Sequence, residues 1–237
     1  MNQSPNAPNI GSLLVYRRPI INLSPNFQSL VYDGREKSPM EKSEILPWTK
    51  FTFENITNAY GDILEQATNS NRPDEVLEFD CENHSMMVQI FYEAFLKETA
   101  ISLAISLGKL SISPRFSWFR GTDMYLAFAE AREMKEKLPK RAHQFDFGDE
   151  DRVHVLYDAN EEIRNPFLAT VIVVPSCTWE PDSLVTANRD RQPELGPIEQ
   201  LAACAKKTNT CLSLILGDKD IVVLQFFKTE AGRMGVY

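Results

Sequence analysis

The sequence is poor in the residues from which most enzyme sites are assembled. Its three histidines, His84, His143 and His154, are far apart and lie in no metal or triad motif. The four cysteines, Cys81, Cys177, Cys204 and Cys211, form no C-x-x-C pair, so a zinc site and a disulfide framework both lose support and core thiols in a reducing compartment are expected. Ten glycines supply no G-x-G-x-x-G, Walker loop or G-x-S-x-G elbow, which removes the usual signatures of dinucleotide binding, NTP hydrolysis and serine hydrolases. No apolar run approaches the ~20 residues that span a bilayer, and the polar start, MNQSPNAPNIGS, lacks the apolar region of a secretory signal. The expectation is a cytoplasmic or nuclear protein with no membrane contact.

Positive charge is also scarce. A formal charge of −8 opposes broad phosphate binding, which depends on clustered Lys and Arg, so a protein partner is expected ahead of nucleic acid. The densest basic run, Lys135 to Arg141, falls at a predicted helix end, where cations complement the dipole. Phe116, Trp118 and Phe119 with Arg115 and Arg120 have the composition of a base-stacking cluster, but between two predicted helices they read better as core.

What is present is an alternation of helix and strand patterns. Residues 1–50, with six prolines (Pro5, Pro8, Pro19, Pro25, Pro39, Pro47), read as an irregular arm packed on the body; residues 51–237 read as one α/β domain. Trp48 and the Phe51/Phe53 pair mark where packing is expected to begin. Ile56, Tyr60, Ile63 and Leu64 predict a helix over 53–67, and VLEFDCEN alternates as a short strand. The strongest helix pattern runs from Ser85, its expected N-cap, to Leu107 before Gly108; a second follows over Asp123–Leu138. Strands are predicted at 152–158 and 167–175, the latter apolar throughout as if buried on both faces. A polar loop, a helix over 196–207 opening on Pro197, and two strands joined at Gly217-Asp218-Lys219 complete the pattern. The expected fold is a small mixed sheet flanked by helices.

A metal-dependent nuclease holds Mg²⁺ with two or three carboxylates at strand ends while a lysine helps activate water. Asp158 sits at such an end and is the candidate metal ligand. Pro73-Asp74 with Glu78 or Asp80 is a weaker acidic set in ordinary turn sequence, and Glu133-Met134-Lys135 is helical surface charge.

The tail PIEQLAACAKKTNTCLSLILGDKDIVVLQFF resembles the C-terminal half of a group of fungal proteins of unknown function whose core is similar to the PD-(D/E)XK nuclease fold. In that group a helix with Gln-x-x-x-Tyr precedes a strand pair joined by a turn like Gly217-Asp218-Lys219. Gln200 matches the glutamine, Cys204 stands where the tyrosine would be, and ATVIVVPS replaces the strand bearing Asp/Glu-x-Lys. The resemblance, over residues 150–237, implies a nuclease-like scaffold whose metal site has lost its centre: a non-catalytic protein with a binding or accessory role and no cofactor. Two alternatives stand beside it. One is an unorthodox Mg²⁺-dependent nuclease using Asp158, Glu194 or Glu199, Gln200 and a lysine such as Lys206; the other is an accessory protein of fungal specialised metabolism.

Overall fold

The computed structural model describes residues 19–29, 38–41, 44–66, 77–108, 116–120, 153–158, 167–185 and 195–237. Within them the chain is a mixed α/β structure. Two strands, β1 (Ile20–Gln28) and β2 (Glu78–Asn83), form a small parallel sheet. A larger sheet of six strands contains β3 (Phe116–Arg120), β4 (Val153–Asp158), β5 (Phe167–Val173), β6 (Leu212–Leu216), β7 (Ile221–Lys228) and β8 (Met234–Val236), adjacent in chain order. Every neighbouring pair in it is antiparallel except β5 and β6, which run parallel from Ala169↔Leu212 to Val173↔Leu216. Parallel neighbours require a crossover. That crossover contains the helix α4 (Gly196–Thr208), which opens on Pro197 and closes on Asn209 in the left-handed region, φ 54° and ψ 37°.

The other helices longer than one turn are α1 (Phe53–Gln66), α2 (His84–Phe91) and α3 (Lys97–Gly108), and a single helical turn, Asp182–Val185, precedes α4 in the crossover. Between α2 and α3, Tyr92–Leu96 is wound as a π-helix, so the pair reads as one long amphipathic pattern with a local widening.

Strand β5 is the centre because both its faces are covered. Ile172 and Val174 pack with Ile215, Leu224 and Phe226 against Ile198, Leu201 and Ala205 of α4. On the opposite face, Ala169, Val171 and Val173 pack with Leu216 against Met87, Val88 and Phe91 of α2, together with Ile21 and Cys81 from the small sheet. Burying one such large apolar side chain contributes on the order of 1.5–3 kcal/mol, so the sheet is held from two sides by separate clusters. The one polar pair inside β5 and β6 is self-satisfied: Thr170 Oγ1 and Ser213 Oγ lie 2.6 Å apart, both fully buried.

The sequence reading needs four corrections. Part of the segment read as an irregular arm is β1, whose Ile20–Leu23 pairs with Glu78–Cys81 in register. The register is lost between Leu23 and Gln28, which accommodates Pro25, a residue unable to donate to a ladder. Phe116–Arg120, read as a segment between two helices, is a strand paired to β4 from Phe116↔Asp158 to Arg120↔His154. The N-cap of α2 is Asn83 rather than Ser85: its side chain accepts from the Met86 N–H at 2.9 Å. Finally, Phe51 and Phe53 do not begin the packing; they are exposed, and Phe51 contacts Trp48 at 4.7 Å between ring centroids. The helix predicted over 123–138 and the basic run 135–141 lie outside the described residues.

Candidate functional site

The carboxyl ends of the parallel strands β5 and β6 lie side by side, Val173 opposite Leu216. In open α/β sheets this is the position at which loops leave room for a ligand. Here the two loops are instead tied together. Asp218 accepts a hydrogen bond from the Ser176 N–H on Oδ1 at 2.6 Å and another from the Ser176 hydroxyl on Oδ2 at 2.7 Å. Alongside, Lys219 Nζ meets Glu180 Oε1 at 3.3 Å in an exposed ion pair. The turn is closed by Gly217 N–H donating to Asp220 O at 2.7 Å. A side chain at Gly217 would stand 3.1 Å from that same carbonyl and 3.3 Å from Val174 O, so the glycine is there for close backbone approach. Val174, Trp179, Pro181, Ile215 and Val222 line the remaining dent, which has room for about one water.

With both oxygens of Asp218 engaged and the Ser176 proton given to it, this pair works as a loop clamp. The neighbouring thiols are not poised as nucleophiles. Burial pushes the exposed-edge Cys177 thiol up, and the Asp218 charge pushes it further. Burial likewise raises Cys81, whose thiol donates to the Asn83 carbonyl at 3.3 Å. A thiol held above its ordinary value is mostly protonated at neutral pH. The expectation of four core thiols holds for Cys81 and Cys204; Cys177 and Cys211 are exposed.

The residues singled out from sequence fall as follows. Asp158 is the last residue of β4, paired with Phe116 and next to Tyr157, the partner of Phe167 at the start of β5. Helix α4 finishes towards that same end of the sheet: three residues after its C-cap Asn209, β6 begins at Leu212, which pairs with Ala169. Glu199 and Gln200 belong to its first turns, about 13 Å back along the helix from its C-terminus at 1.5 Å per residue. Glu199 is engaged with the N-terminal segment: its Oε1 accepts from the Met40 N–H at 3.3 Å and its carbonyl from the Ser38 N–H at 3.0 Å. Gln200 is 2% exposed, and its Oε1 has no hydrogen-bond partner among the described residues. Lys206 is exposed on α4. His84 is buried at the first position of α2, and His154 lies in β4 opposite Arg120 and Val171. Glu194, His143, the Pro73-Asp74 pair and Glu133–Lys135 lie outside the described residues.

Among the described residues, no three His, Cys, Asp or Glu side chains converge as the ligands of a metal ion would. The seven positions of β5 carry neither acid nor lysine.

Two contacts were not foreseen from sequence. The Ser176–Asp218 clamp joins residues 42 apart, and its only local signal is a serine just after the strand-ending Pro175 and an aspartate in a tight turn. The second is Arg233, which meets Glu41 and Glu44 across about 190 residues and has no local signal. No family model, curated protein or solved structure matches the chain. Among the described residues, no helix is long and apolar enough to cross a membrane.

Proposed function

We propose that the chain is a non-catalytic, nuclease-like α/β protein with a binding or accessory role. The observation that carries the reading is β5. In the core that the tail resembles, the corresponding strand supplies an acid and a lysine; here the positions are filled by the exposed Leu168, by five buried apolar side chains and by Thr170, whose hydroxyl is bonded to Ser213. Placing an ionised carboxylate at any of those buried positions would cost several kcal/mol unless it were paired, so β5 is suited to scaffold rather than to metal. The charge of −8 goes with a protein partner inside the cell rather than a nucleic acid.

The test is incubation of the purified chain with plasmid and single-stranded DNA and RNA in Mg²⁺ and in Mn²⁺, beside Asp158→Ala and Glu199→Ala. Cleavage by the natural chain is expected to be no greater than that of either variant. Metal-dependent cleavage that disappears in Asp158→Ala would overturn the reading and establish the unorthodox nuclease.

A further inference from the structure

The segment that crosses the outer edge of β8 is held at two ends and by one ion-pair cluster between them. The β8 strand has β7 on one side, and on its other side a single bridge, Ile45↔Val236, with the Leu46 N–H donating to Val236 O at 2.8 Å. One bridge is a weak hold. The same segment is anchored at its other end on α4, through Ser38 and Met40 to Glu199, with the Met40 side chain buried beside Val236 in the α4-side core.

Between these anchors stands the guanidinium of Arg233. Arg233, in the turn leading into β8, places Nη1 2.6 Å from Glu41 Oε1 and Nε 2.9 Å from Glu44 Oε1. The second approach is a charge contact whose angle is not that of a hydrogen bond. Glu44 is only 7% exposed, and its other oxygen accepts from the Glu41 N–H at 2.9 Å. A carboxylate that deeply buried is costly unless a cation stands beside it, whereas Arg233 and Glu41 are more than half exposed and their attraction is screened by salt. The two carboxylates belong to the crossing segment and the cation to the sheet edge. Withdrawing the cation therefore removes the reason for Glu44 to stay buried.

We propose that the described residues 38–41 and 44–46 form a releasable strap over the β8 edge, latched by Arg233 through Glu41 and Glu44. Opening the latch frees the strap and uncovers the backbone groups of β8 while the ladder hydrogen bonds between β5 and β6, in which the strap has no part, stay in place. The strap is the edge's own cover, of the kind by which sheets avoid pairing edge to edge. Arginine suits the role better than lysine because its fork meets two carboxylates at once.

The test is amide hydrogen exchange on the full chain, read at Ser38, Met40 and Leu46 for the strap and at residues 170–173 and 213–216 for the core. In Arg233→Ala, strap exchange is expected to rise roughly tenfold or more, with core amides unchanged and Arg233→Lys intermediate. Natural protein taken from low salt to about 1 M NaCl is expected to show the same selective loosening, which keeps the proposal testable if the variant does not fold. Unchanged strap exchange, or strap and core rates rising together, overturns it.

Discussion

A single carboxylate decides how the loops after β5 and β6 are joined. Asp218 is partly buried and takes two hydrogen bonds from one residue, Ser176, both under 2.8 Å. Hydrogen bonds to a charged acceptor contribute about 1.5–3 kcal/mol. Asp218→Ala is therefore expected to lower unfolding free energy by about 1–3 kcal/mol in urea titration, and Ser176→Ala, which keeps the backbone donor, by less. The clamp also has a chemical reporter. Burial chiefly, and the Asp218 charge in addition, hold the Cys177 thiol above its ordinary value. At pH 7–8 its thiolate fraction is thus below that of a free thiol, so iodoacetamide should label it slowly. Asp218→Asn removes the charge contribution but leaves the burial, so labelling at Cys177, followed by peptide mass spectrometry, should quicken while staying slower than a free thiol.

Gly235 is a second residue whose identity is fixed by a neighbour. It lies opposite Phe227 in the β7–β8 ladder, and a Cβ built on it would stand 2.6 Å from the Phe227 ring. That ring is also stacked on Tyr237, with centroids 4.5 Å apart, so it cannot yield without losing the stack. Gly235→Ala is expected to cost about 1–3 kcal/mol as overpacking, measured as a fall in the urea midpoint with little change in slope.

At the scale of elements, periodicity revealed the helices but not which of their faces is used. Helix α1 carries Phe53, Ile56, Tyr60 and Ile63 at helical spacing, as α2 carries Met87, Ile90 and Phe91, yet Phe53 is 60% and Tyr60 58% exposed whereas Phe91 is fully buried. Phe91→Ala should cost about 3–5 kcal/mol. Phe53→Ala and Tyr60→Ala should each remain within about 0.5 kcal/mol of the natural chain. Thermal and urea unfolding of the three variants checks the contrast.

The run from β5 through α4 to β7 was legible because each piece carries its own signal: a continuous apolar strand, Pro197 at the helix start, Gly217-Asp218-Lys219 in the turn. Strand β1 was not, because its partner is 58 residues away and Pro25 interrupts its alternation. Strand β8 is three residues long, and a segment that short has no period to read. For the site, sequence named the acid-free strand and the turn aspartate, but pairing Asp218 with Ser176 required the parallel register. The distances between Arg233 and its two glutamates are set entirely by the tertiary fold.

For the whole molecule, the sheet's two faces are the main constraint. One cluster reaches α4 through Ile172 and Ile215; the other reaches α2 and the small sheet through Val171, Val173 and Leu216. These residues alternate along the same two strands, so neither cluster can open fully without loosening the backbone that supports the other. Unfolding should then be cooperative across both faces. Leu201→Ala, which cuts the α4 side, is expected to cost about 2–5 kcal/mol, and Phe91→Ala acts on the opposite side. Because the two side chains pack in separate clusters with the sheet between them, their costs should add to within about 0.5 kcal/mol. Trp179 is buried in the α4-side cluster, so in a chain carrying Trp48→Phe and Trp118→Phe its fluorescence reports that face, while far-UV circular dichroism reports both. In Phe91→Ala, fluorescence and circular dichroism should still move together through one transition, although the cavity lies on the face away from Trp179. Separate transitions by the two probes would show that each face folds as its own unit and that the shared strands do not couple them.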